Sequence, residues 1–250
     1  MMGLNGDVGE SYGSWTLGKD EQLIPLLDMA NIACGFHASD PETMAQTVQL
    51  CKHHNVSIGA HPGYEDKVGF GRRSITMSTD AVTTSILYQV GALNGICQLY
   101  GCHVDYIKPH GAMYLDMMHS ASIMQAIFAA AKVLNLPVML LANRHAEATQ
   151  QLANSMGVSI LFEAFADRLY LDSGELTPRS QANAVFHSTE QILGQANRLL
   201  QTQTLITASG SERHVVADSL CVHGDNEASI EVATAIRAII NQTMNNNTGR

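Results

Sequence analysis

The chain alternates short apolar runs with longer stretches in which apolar residues recur at the helical period. The apolar runs predict seven strands, at residues 2–6, 29–34, 56–60, 104–108, 138–142, 158–162 and 219–222. The periodic stretches predict four clear helices, at residues 40–55, 78–101, 119–135 and 188–201. Strands that alternate with helices in this way favour an α/β fold, with a parallel sheet covered by helices.

Two architectures fit this alternation, an open doubly wound sheet and a closed barrel. The glycine-rich turn GxGxxG, which a dinucleotide-binding fold places after its first strand, is absent here. A (β/α) barrel predicts instead that polar residues gather at the C-terminal end of every strand, because barrel active sites are built there. We expect a single barrel domain over residues 1–243 and a disordered tail over residues 244–250.

Ionisable residues do follow most of the predicted strands. The segment VDYIKPHGAMY, residues 104–114, ends a strand with Lys108 and His110, whose side chains point the same way in an extended chain. The corresponding residues at the other strand ends are Asn5, Asp7, Glu10, His37, His61, Glu163, Asp167, Arg168, His223 and Asp225. Random surface decoration would not favour one end of the strands, so this pattern predicts a common cavity at one rim.

A long glycine-rich loop, HPGYEDKVGFGRRS, follows the third predicted strand and ends in two arginines. Functional residues concentrate on such loops, and the guanidinium group binds carboxylate or phosphate with a planar fork. We choose Arg72 over its neighbour Arg73 as an anion-binding residue. Arg179, in the segment GELTPRS, is a second candidate for the same role.

Composition narrows the class of protein. The 250 residues are 46% hydrophobic and carry a formal net charge of -9, which argues against a nucleic-acid binder that needs a basic face. The five cysteines lack CxxC spacing, which favours free thiols in a reducing compartment. The first residues do not read as a secretion signal, and Lys132, Asn135 and Pro137 interrupt the most apolar window. We therefore expect a cytoplasmic protein without a membrane span.

The candidate residues allow more than one chemistry. No GxSxG elbow and no GxxxxGK[ST] phosphate loop occurs, which disfavours a serine hydrolase and a familiar ATP site. Asp7, His37 and His61 are plausible ligands of a divalent metal that activates water. The same residues could act as general acids and bases without a metal, and their spacing does not decide between these alternatives.

Six ordered motifs resemble the LamB/YcsF family of 5-oxoprolinase A subunits. They are LNGDVGESYG, ANIACGFHASDP, GAHPGYEDKVGFGRR, KPHGAMY, EAFADRLY and CVHGD, and the match runs from Leu4 to about Ile240. The resemblance implies a seven-stranded (β/α) barrel of the glycoside hydrolase/deacetylase superfamily. It also implies that 5-oxoproline is opened to L-glutamate with ATP, together with Mg²⁺, and that partner subunits B and C take part.

The resemblance carries the charged motif positions over to this chain. They are Asp7, Glu10, His37, His61, Arg72, Lys108, His110, Glu163, Asp167, Arg168, His223 and Asp225. Four positions depart from the usual family pattern, Gly3, Gly6, Ser39 and Leu115, and only Gly3 replaces an ionisable residue. We therefore expect the rim of the barrel to carry every charged residue of the family motifs except the aspartate of the first strand.

Our hypothesis divides the site into two groups of residues. The catalytic group is Asp7, His61, Lys108, His110, His223 and Asp225, in which Lys108 meets developing oxygen charge and His61 or His110 handles protons. The substrate-binding group is Asn5, Glu10, His37, Arg72, Glu163, Asp167, Arg168 and Arg179, with Arg72 on the substrate carboxylate. The alternatives are a stand-alone metal-dependent amide or N-acetyl hydrolase and a non-catalytic substrate-binding subunit; the chain could also form a homo-oligomer.

Overall fold

The computed structural model describes residues 2–222 and 227–248. Its first half contains β1 (Gly3–Val8), α1 (Asp20–Leu23), a 3-10 turn (Ile24–Leu26), β2 (Met29–Ala33), α2 (Pro41–His54), β3 (Ser57–His61), α3 (Thr79–Leu99), β4 (Tyr106–Ile107), α4 (Gly111–His119) and α5 (Ala121–Leu134). The second half contains β5 (Val138–Leu141), α6 (Ala146–Met156), β6 (Ile160–Phe165), α7 (Thr189–Thr202), β7 (Thr204–Ile206), β8 (Glu212–His214), β9 (Ser219–Val222) and α8 (Glu227–Thr248).

Seven strands close into a parallel barrel in the order β1-β2-β3-β4-β5-β6-β9. The prediction of a seven-stranded (β/α) barrel is therefore confirmed, and each of the seven predicted strands overlaps one barrel strand. The antiparallel pair β7-β8 lies outside the barrel and was not predicted, since its strands have three residues each. Helices α2, α3, α5 and α7 were predicted, whereas α1, α4, α6 and α8 were not.

Local sequence explains where α2 begins and ends. The Asp40 side chain accepts hydrogen bonds from the backbone N–H of Glu42 at 2.9 Å and of Thr43 at 3.0 Å. Pro41 fills the first helical position, where no N–H is needed. The helix ends at Asn55, which adopts the left-handed conformation with φ 56° that closes many helices. The cap at Asp40 therefore sets where the helix after β2 begins.

The last helix bears on the predicted C-terminal tail. Helix α8 runs from Glu227 to Thr248. Residues 244–248, which the sequence analysis expected to be disordered, thus continue a helix, and residues 249–250 lie outside the described residues. Asn and Thr, which make up most of this stretch, have weak helix propensity, and this is why the sequence pattern favoured a tail there.

The interior of the barrel is filled by polar as well as apolar side chains. Seven of the enclosed polar residues are Asn5, Asn31, His61, Tyr106, Lys108, Glu163 and Ser219, all buried. A β-carbon at Gly59 would collide with the ring of Tyr106, so this glycine makes room for that buried ring. Apolar residues on the other face of each strand, such as Leu4, Ile58 and Leu220, pack in the main hydrophobic core.

The described helices differ from membrane spans in length or hydropathy. None of them is by itself both long and apolar enough to cross a bilayer, although α4 and α5, which meet at a bend of 115°, reach those values as a pair.

The first turn of α4 packs directly against the arginine-bearing loop after β3. Gly111 has φ 55°, and an added β-carbon would lie 2.5 Å from the carbonyl oxygen of Gly71. That carbonyl accepts a hydrogen bond from the N–H of Ala112 at 2.9 Å. The loop and the helix can approach this closely only because residue 111 has no side chain.

We expect Gly111→Ala to lower the free energy of unfolding by about 2 kcal/mol or more, because it combines a left-handed backbone with a backbone collision. Gly95→Ala is the matched control, since Gly95 lies within α3 with open space around its α-carbon. The control should gain about 0.5–1 kcal/mol from reduced backbone entropy. Urea denaturation of both variants measures the difference, and equal stabilities would contradict this close packing of loop and helix.

Candidate active site

A cleft opens at the C-terminal ends of the barrel strands. Its volume is about 430 Å³, and its floor is formed by Asp7, His61, Lys108 and His110, which come from β1, β3 and the segment after β4. The other lining residues are Arg72, Ser74, Pro109, Gly111, Ala112, Tyr114, Leu115, Asp116, His119, Phe165, Arg168, Leu176, Thr177, Pro178 and Arg179. Residues predicted at the ends of different strands therefore line one cavity, although these strands are far apart in the sequence.

Lys108 is the centre of the floor, and only 2% of its surface is exposed. Its Nζ lies 3.0 Å from Asp7 Oδ1 and 3.0 Å from Glu163 Oε2. It also lies 3.3 Å from Asn5 Oδ1 and 3.3 Å from the Cys221 sulfur. Burial opposes the charge of the ammonium group, but the two carboxylates outweigh this and raise the pKa of Lys108 well above its usual range. The two carboxylates thus favour the charged form of Lys108 inside the barrel.

Buried amides hold this ion pair in place from below. Asn31 donates hydrogen bonds to Asp7 Oδ1 at 2.8 Å and to Asn5 Oδ1 at 2.9 Å. Asn5 donates to the Ser219 hydroxyl at 2.7 Å, and the Tyr106 hydroxyl donates to Asn31 Oδ1 at 2.6 Å. Because these groups satisfy one another, neither Asp7 nor Lys108 can turn without breaking several hydrogen bonds.

Two histidines stand next to Asp7, and both are anchored by backbone carbonyl groups. His61 Nδ1 lies 2.7 Å from the carbonyl oxygen of Lys108, and His110 Nε2 lies 2.9 Å from that of Phe70. A carbonyl can only accept, so both of these ring nitrogens carry a proton and donate. The remaining nitrogens, His61 Nε2 and His110 Nδ1, face each other at 2.9 Å. His61 Nε2 is also 3.4 Å from Asp7 Oδ2.

A third histidine and a glutamate complete the cluster beside the cleft. The His37 ring stacks on that of His110, with 3.7 Å between centroids and 3° between planes. His37 Nε2 lies 3.5 Å from Glu10 Oε1, which is 3.8 Å from His110 Nδ1. Burial lowers the pKa of His37 and of His110 well below the usual range, and the neighbouring histidines lower it further. Each of these four residues, Glu10, His37, His61 and His110, offers a ligand atom within 4.8 Å of the others, so they could hold a metal ion.

Three arginines, Arg72, Arg168 and Arg179, line the cleft. Arg168 is buried and donates to the carbonyl oxygens of Ala184 at 3.1 Å and Thr177 at 2.7 Å. Burial and the neighbouring Arg179 lower the pKa of Arg168 to about 10. Three guanidinium groups around one opening form an environment suited to anions.

The two arginines of the loop after β3 have different surroundings. Arg73 forms an ion pair with the carboxylate of Asp66, its Nε lying 3.0 Å from Asp66 Oδ2. The same carboxylate accepts a hydrogen bond from the N–H of Gly69, so this ion pair shapes the loop. Arg72, by contrast, lines the cleft, with its guanidinium 5.7 Å from the centre of the Phe70 ring.

The structure sorts the residues nominated from the sequence. Asp7, His61, Arg72, Lys108, His110, Arg168 and Arg179 line the cleft. Asn5 and Glu163 are completely enclosed and support Lys108 instead, while Glu10 and His37 belong to the histidine cluster. Asp167, partly buried, precedes Arg168, and its charge partly offsets the lowering of the Arg168 pKa by burial. His223 and Asp225 lie outside the described residues.

Several residues of the site were not nominated from the sequence, among them three close to Lys108 and Asp7. Asn31 and Tyr106 belong to the buried network, and Cys221 contacts Lys108. Burial raises the pKa of the Cys221 thiol well above its usual range, so it is a neutral neighbour of the ammonium group. The Cys34 thiol donates to the carbonyl oxygen of Ile32. Alternation along β2 and β9 could have identified Asn31 and Cys221, since both are inward-facing positions.

Known proteins resemble this chain along its whole length. A model of the LamB/YcsF family matches residues 2–248. A protein of Vibrio vulnificus (strain YJ016) that is named as the A subunit of 5-oxoprolinase is 50% identical over 237 residues, covering 95% of this chain and 96% of that one. Its namesake in Pseudomonas fluorescens (strain Pf0-1) is 48% identical over 241 residues, with 96% of each chain covered. The crystal structure of a lactam utilization protein from Thermus thermophilus superposes with a TM-score of 0.89 at 37% identity, covering 96% of each chain.

We expect Lys108→Met to cost about 3–5 kcal/mol of stability at neutral pH, because it leaves two carboxylates facing each other without a cation. The double variant Lys108→Met/Glu163→Gln should cost clearly less, since one of the two buried charges is removed as well. Lowering the solution from about pH 8 to about pH 5 should reduce the penalty of the single variant, because protonation relieves the uncompensated charge. Urea denaturation of the wild type, both single variants and the double variant gives the coupling energy. Additive effects would contradict the ion pair.

Proposed function

The chain belongs to the LamB/YcsF family, and from this premise we propose that it is the A subunit of a 5-oxoprolinase. In this proposal the protein opens the lactam ring of 5-oxoproline to give L-glutamate, in an ATP-consuming reaction that also needs partner subunits B and C. The observation that carries the proposal is the cleft itself, which combines three arginines at its opening with a buried lysine–carboxylate centre at its floor.

The chemistry of a lactam explains why such a cleft is needed. A five-membered lactam is a poor electrophile, and phosphorylation of its amide oxygen makes the ring carbon reactive. Water then adds to that carbon and the ring C–N bond breaks, the nitrogen taking up a proton. The remaining acyl phosphate reacts with a second water to give the carboxylate and inorganic phosphate. In total, ATP and two waters are consumed for each glutamate formed.

The substrate and its phosphorylated form are anions, which suits the arginines. We assign the α-carboxylate of the substrate to Arg72, which stands on the loop after β3 and is exposed. Arg168 and Arg179 are then available for the phosphoryl oxygens. A cleft of about 430 Å³ has room for a small cyclic amino acid together with a phosphoryl group.

Two residues of the floor are assigned to the reacting atoms. Lys108 stabilises negative charge on the oxygen that water adds to the ring carbon, an effect worth about 10²–10³-fold in rate for one preorganised donor. Asp7 takes the proton of the attacking water and passes it to the ring nitrogen as a general base, worth about 10²–10⁴-fold. We prefer Asp7 to His61 or His110 for this step, because the outer nitrogens of the two histidines donate to backbone carbonyls and their inner nitrogens face each other.

We further propose that ATP and its Mg²⁺ bind mainly to the partner subunits. The support is that the sequence lacks a recognisable phosphate loop. In that division of labour, the partners activate the lactam and this chain completes the hydrolysis. Calorimetric titration of the isolated chain with Mg²⁺–ATP tests this point, and tight binding would overturn it.

Reconstitution tests the assignment of function. Purified subunits B and C, 5-oxoproline and ATP should release glutamate only when this chain is added. Release by this chain alone without ATP would favour the stand-alone amide hydrolase, and undiminished release without this chain would favour a non-catalytic role. Both outcomes contradict the proposal.

The Lys108→Met/Glu163→Gln double variant should lower glutamate release in the reconstituted enzyme to about 1% of the wild type or less, because the oxyanion loses its cation. Glu163→Gln alone is the matched control, since it retains Lys108 beside Asp7. Circular dichroism verifies the fold of both variants. Wild-type turnover in the double variant would contradict the role of Lys108.

Arg72→Gln should raise the KM for 5-oxoproline by about 10–100-fold, because a charge-assisted hydrogen bond to the carboxylate contributes about 1.5–3 kcal/mol. The matched control is Arg144→Gln, an exposed arginine that follows β5 at the same rim and contacts His145. The control should leave the KM within about threefold of the wild type. A larger effect in the control than in Arg72→Gln would contradict the assignment.

A further inference from the structure

The facing nitrogens of His61 and His110 create an electrostatic conflict. Both rings donate from their outer nitrogens to backbone carbonyls, so in the neutral rings the inner nitrogens carry lone pairs. These two lone pairs lie 2.9 Å apart in a site where 1% of each residue is exposed. An electron-pair acceptor between the rings is required to remove the repulsion.

Both histidines match the arrangement seen around metal ions, in which a ligating histidine donates its other ring N–H to a carbonyl oxygen. That second hydrogen bond fixes the tautomer that exposes the lone pair to the ion.

A carboxylate stands close enough to serve as the third ligand. Glu10 Oε1 is 3.8 Å from His110 Nδ1, and the ligand atoms of the cluster all lie within 4.8 Å of one another. Ligands bound tetrahedrally at about 2.0–2.2 Å are about 3.3–3.6 Å apart. Side-chain shifts of at most about 1.5 Å therefore bring Glu10, His61 and His110 onto one ion.

His37 has a different relation to the cluster. Its ring is stacked face to face on that of His110, with planes only 3° apart. A ring nitrogen binds a metal in the plane of its ring, so parallel stacked rings cannot both direct a lone pair at one ion. Neither ring nitrogen of His37 has a hydrogen-bond partner among the described residues, and Nε2 lies 3.5 Å from Glu10 Oε1. His37 therefore lies where it can position the carboxylate of Glu10 without binding the ion.

We propose that Glu10, His61 and His110 bind a divalent transition-metal ion next to Asp7 at the edge of the cleft. Two imidazoles and one carboxylate favour zinc, cobalt or iron over magnesium and calcium, which prefer oxygen ligands. His61 and His110 line the cleft, so a fourth position on the ion is accessible to a small ligand. Such an ion can polarise a carbonyl or phosphoryl oxygen and lower the pKa of water.

The proposal deepens the proposed function but does not depend on it, because the ion is measured without substrate or partner subunits. The untagged full-length chain is dialysed against a chelator and then titrated with Co²⁺, followed by visible absorption, and with Zn²⁺ in competition. We expect one equivalent to bind, and millimolar Mg²⁺ should not displace it. Binding of fewer than about 0.1 equivalents would overturn the proposal.

Variants can delete a ligand atom and keep its carbonyl anchor. His61→Asn retains a donor near the position of Nδ1, and His110→Gln retains one near that of Nε2, while Glu10→Gln removes only the charge. Each should weaken Co²⁺ binding by about 100-fold or more, since even outer-shell changes cost about 10–100-fold. The control His214→Gln, at an exposed position of β8, should bind like the wild type. Equal binding by all four variants would overturn the proposal.

The variant His37→Asn tests whether the stacked histidine positions a ligand or binds the ion itself. It should weaken Co²⁺ binding by about 10-fold, as expected for a residue that positions Glu10. A loss as large as that of His61→Asn would overturn the assignment of Glu10, His61 and His110 as the three protein ligands. Glutamate release in the reconstituted enzyme is scored separately: metal binding without turnover contradicts the proposed function alone, and turnover without bound metal contradicts this inference alone.

Discussion

A single buried cation organises the site. Lys108 can remain charged inside the barrel only because Asp7 and Glu163 approach it at 3.0 Å each. Those carboxylates in turn need hydrogen bonds, and the enclosed amides of Asn5 and Asn31 supply them. The interior of the barrel is therefore polar because Lys108 requires polar neighbours. These neighbours occupy interior positions that ordinarily hold branched apolar residues.

This requirement shapes the cleft above it. Two carboxylates fix the ammonium group of Lys108. Because this group cannot move toward a substrate, the substrate must bind next to it. The arginines that line the cleft promote this at longer range, since their guanidinium groups attract an anion into it. The protein as a whole carries a net charge of -9, which makes the positive opening a local feature that distinguishes this face from the rest of the surface.

The sequence predicted those parts of the molecule that depend on local pattern. Apolar runs located the seven barrel strands, and the spacing of Lys108 and His110 correctly placed both side chains in one cleft. Asn31 and Cys221 escaped notice because each lies within an apolar run and not among the ionisable residues that follow a strand. The stacking of His37 on His110 could not be inferred, because it depends on distances between strands far apart in the chain. Helix α4 was missed because it begins directly after the polar segment that ends β4.

The contact between the loop after β3 and the start of α4 limits how the family can vary. Consecutive carbonyl groups of Phe70 and Gly71 receive hydrogen bonds from the His110 ring and from the backbone of Ala112. Arg72 is the next residue, so the side chain assigned to the substrate is fixed by the same two bonds that orient a histidine of the floor. Insertions or deletions in this loop would disturb recognition and chemistry together, and length changes among relatives should be confined to other loops.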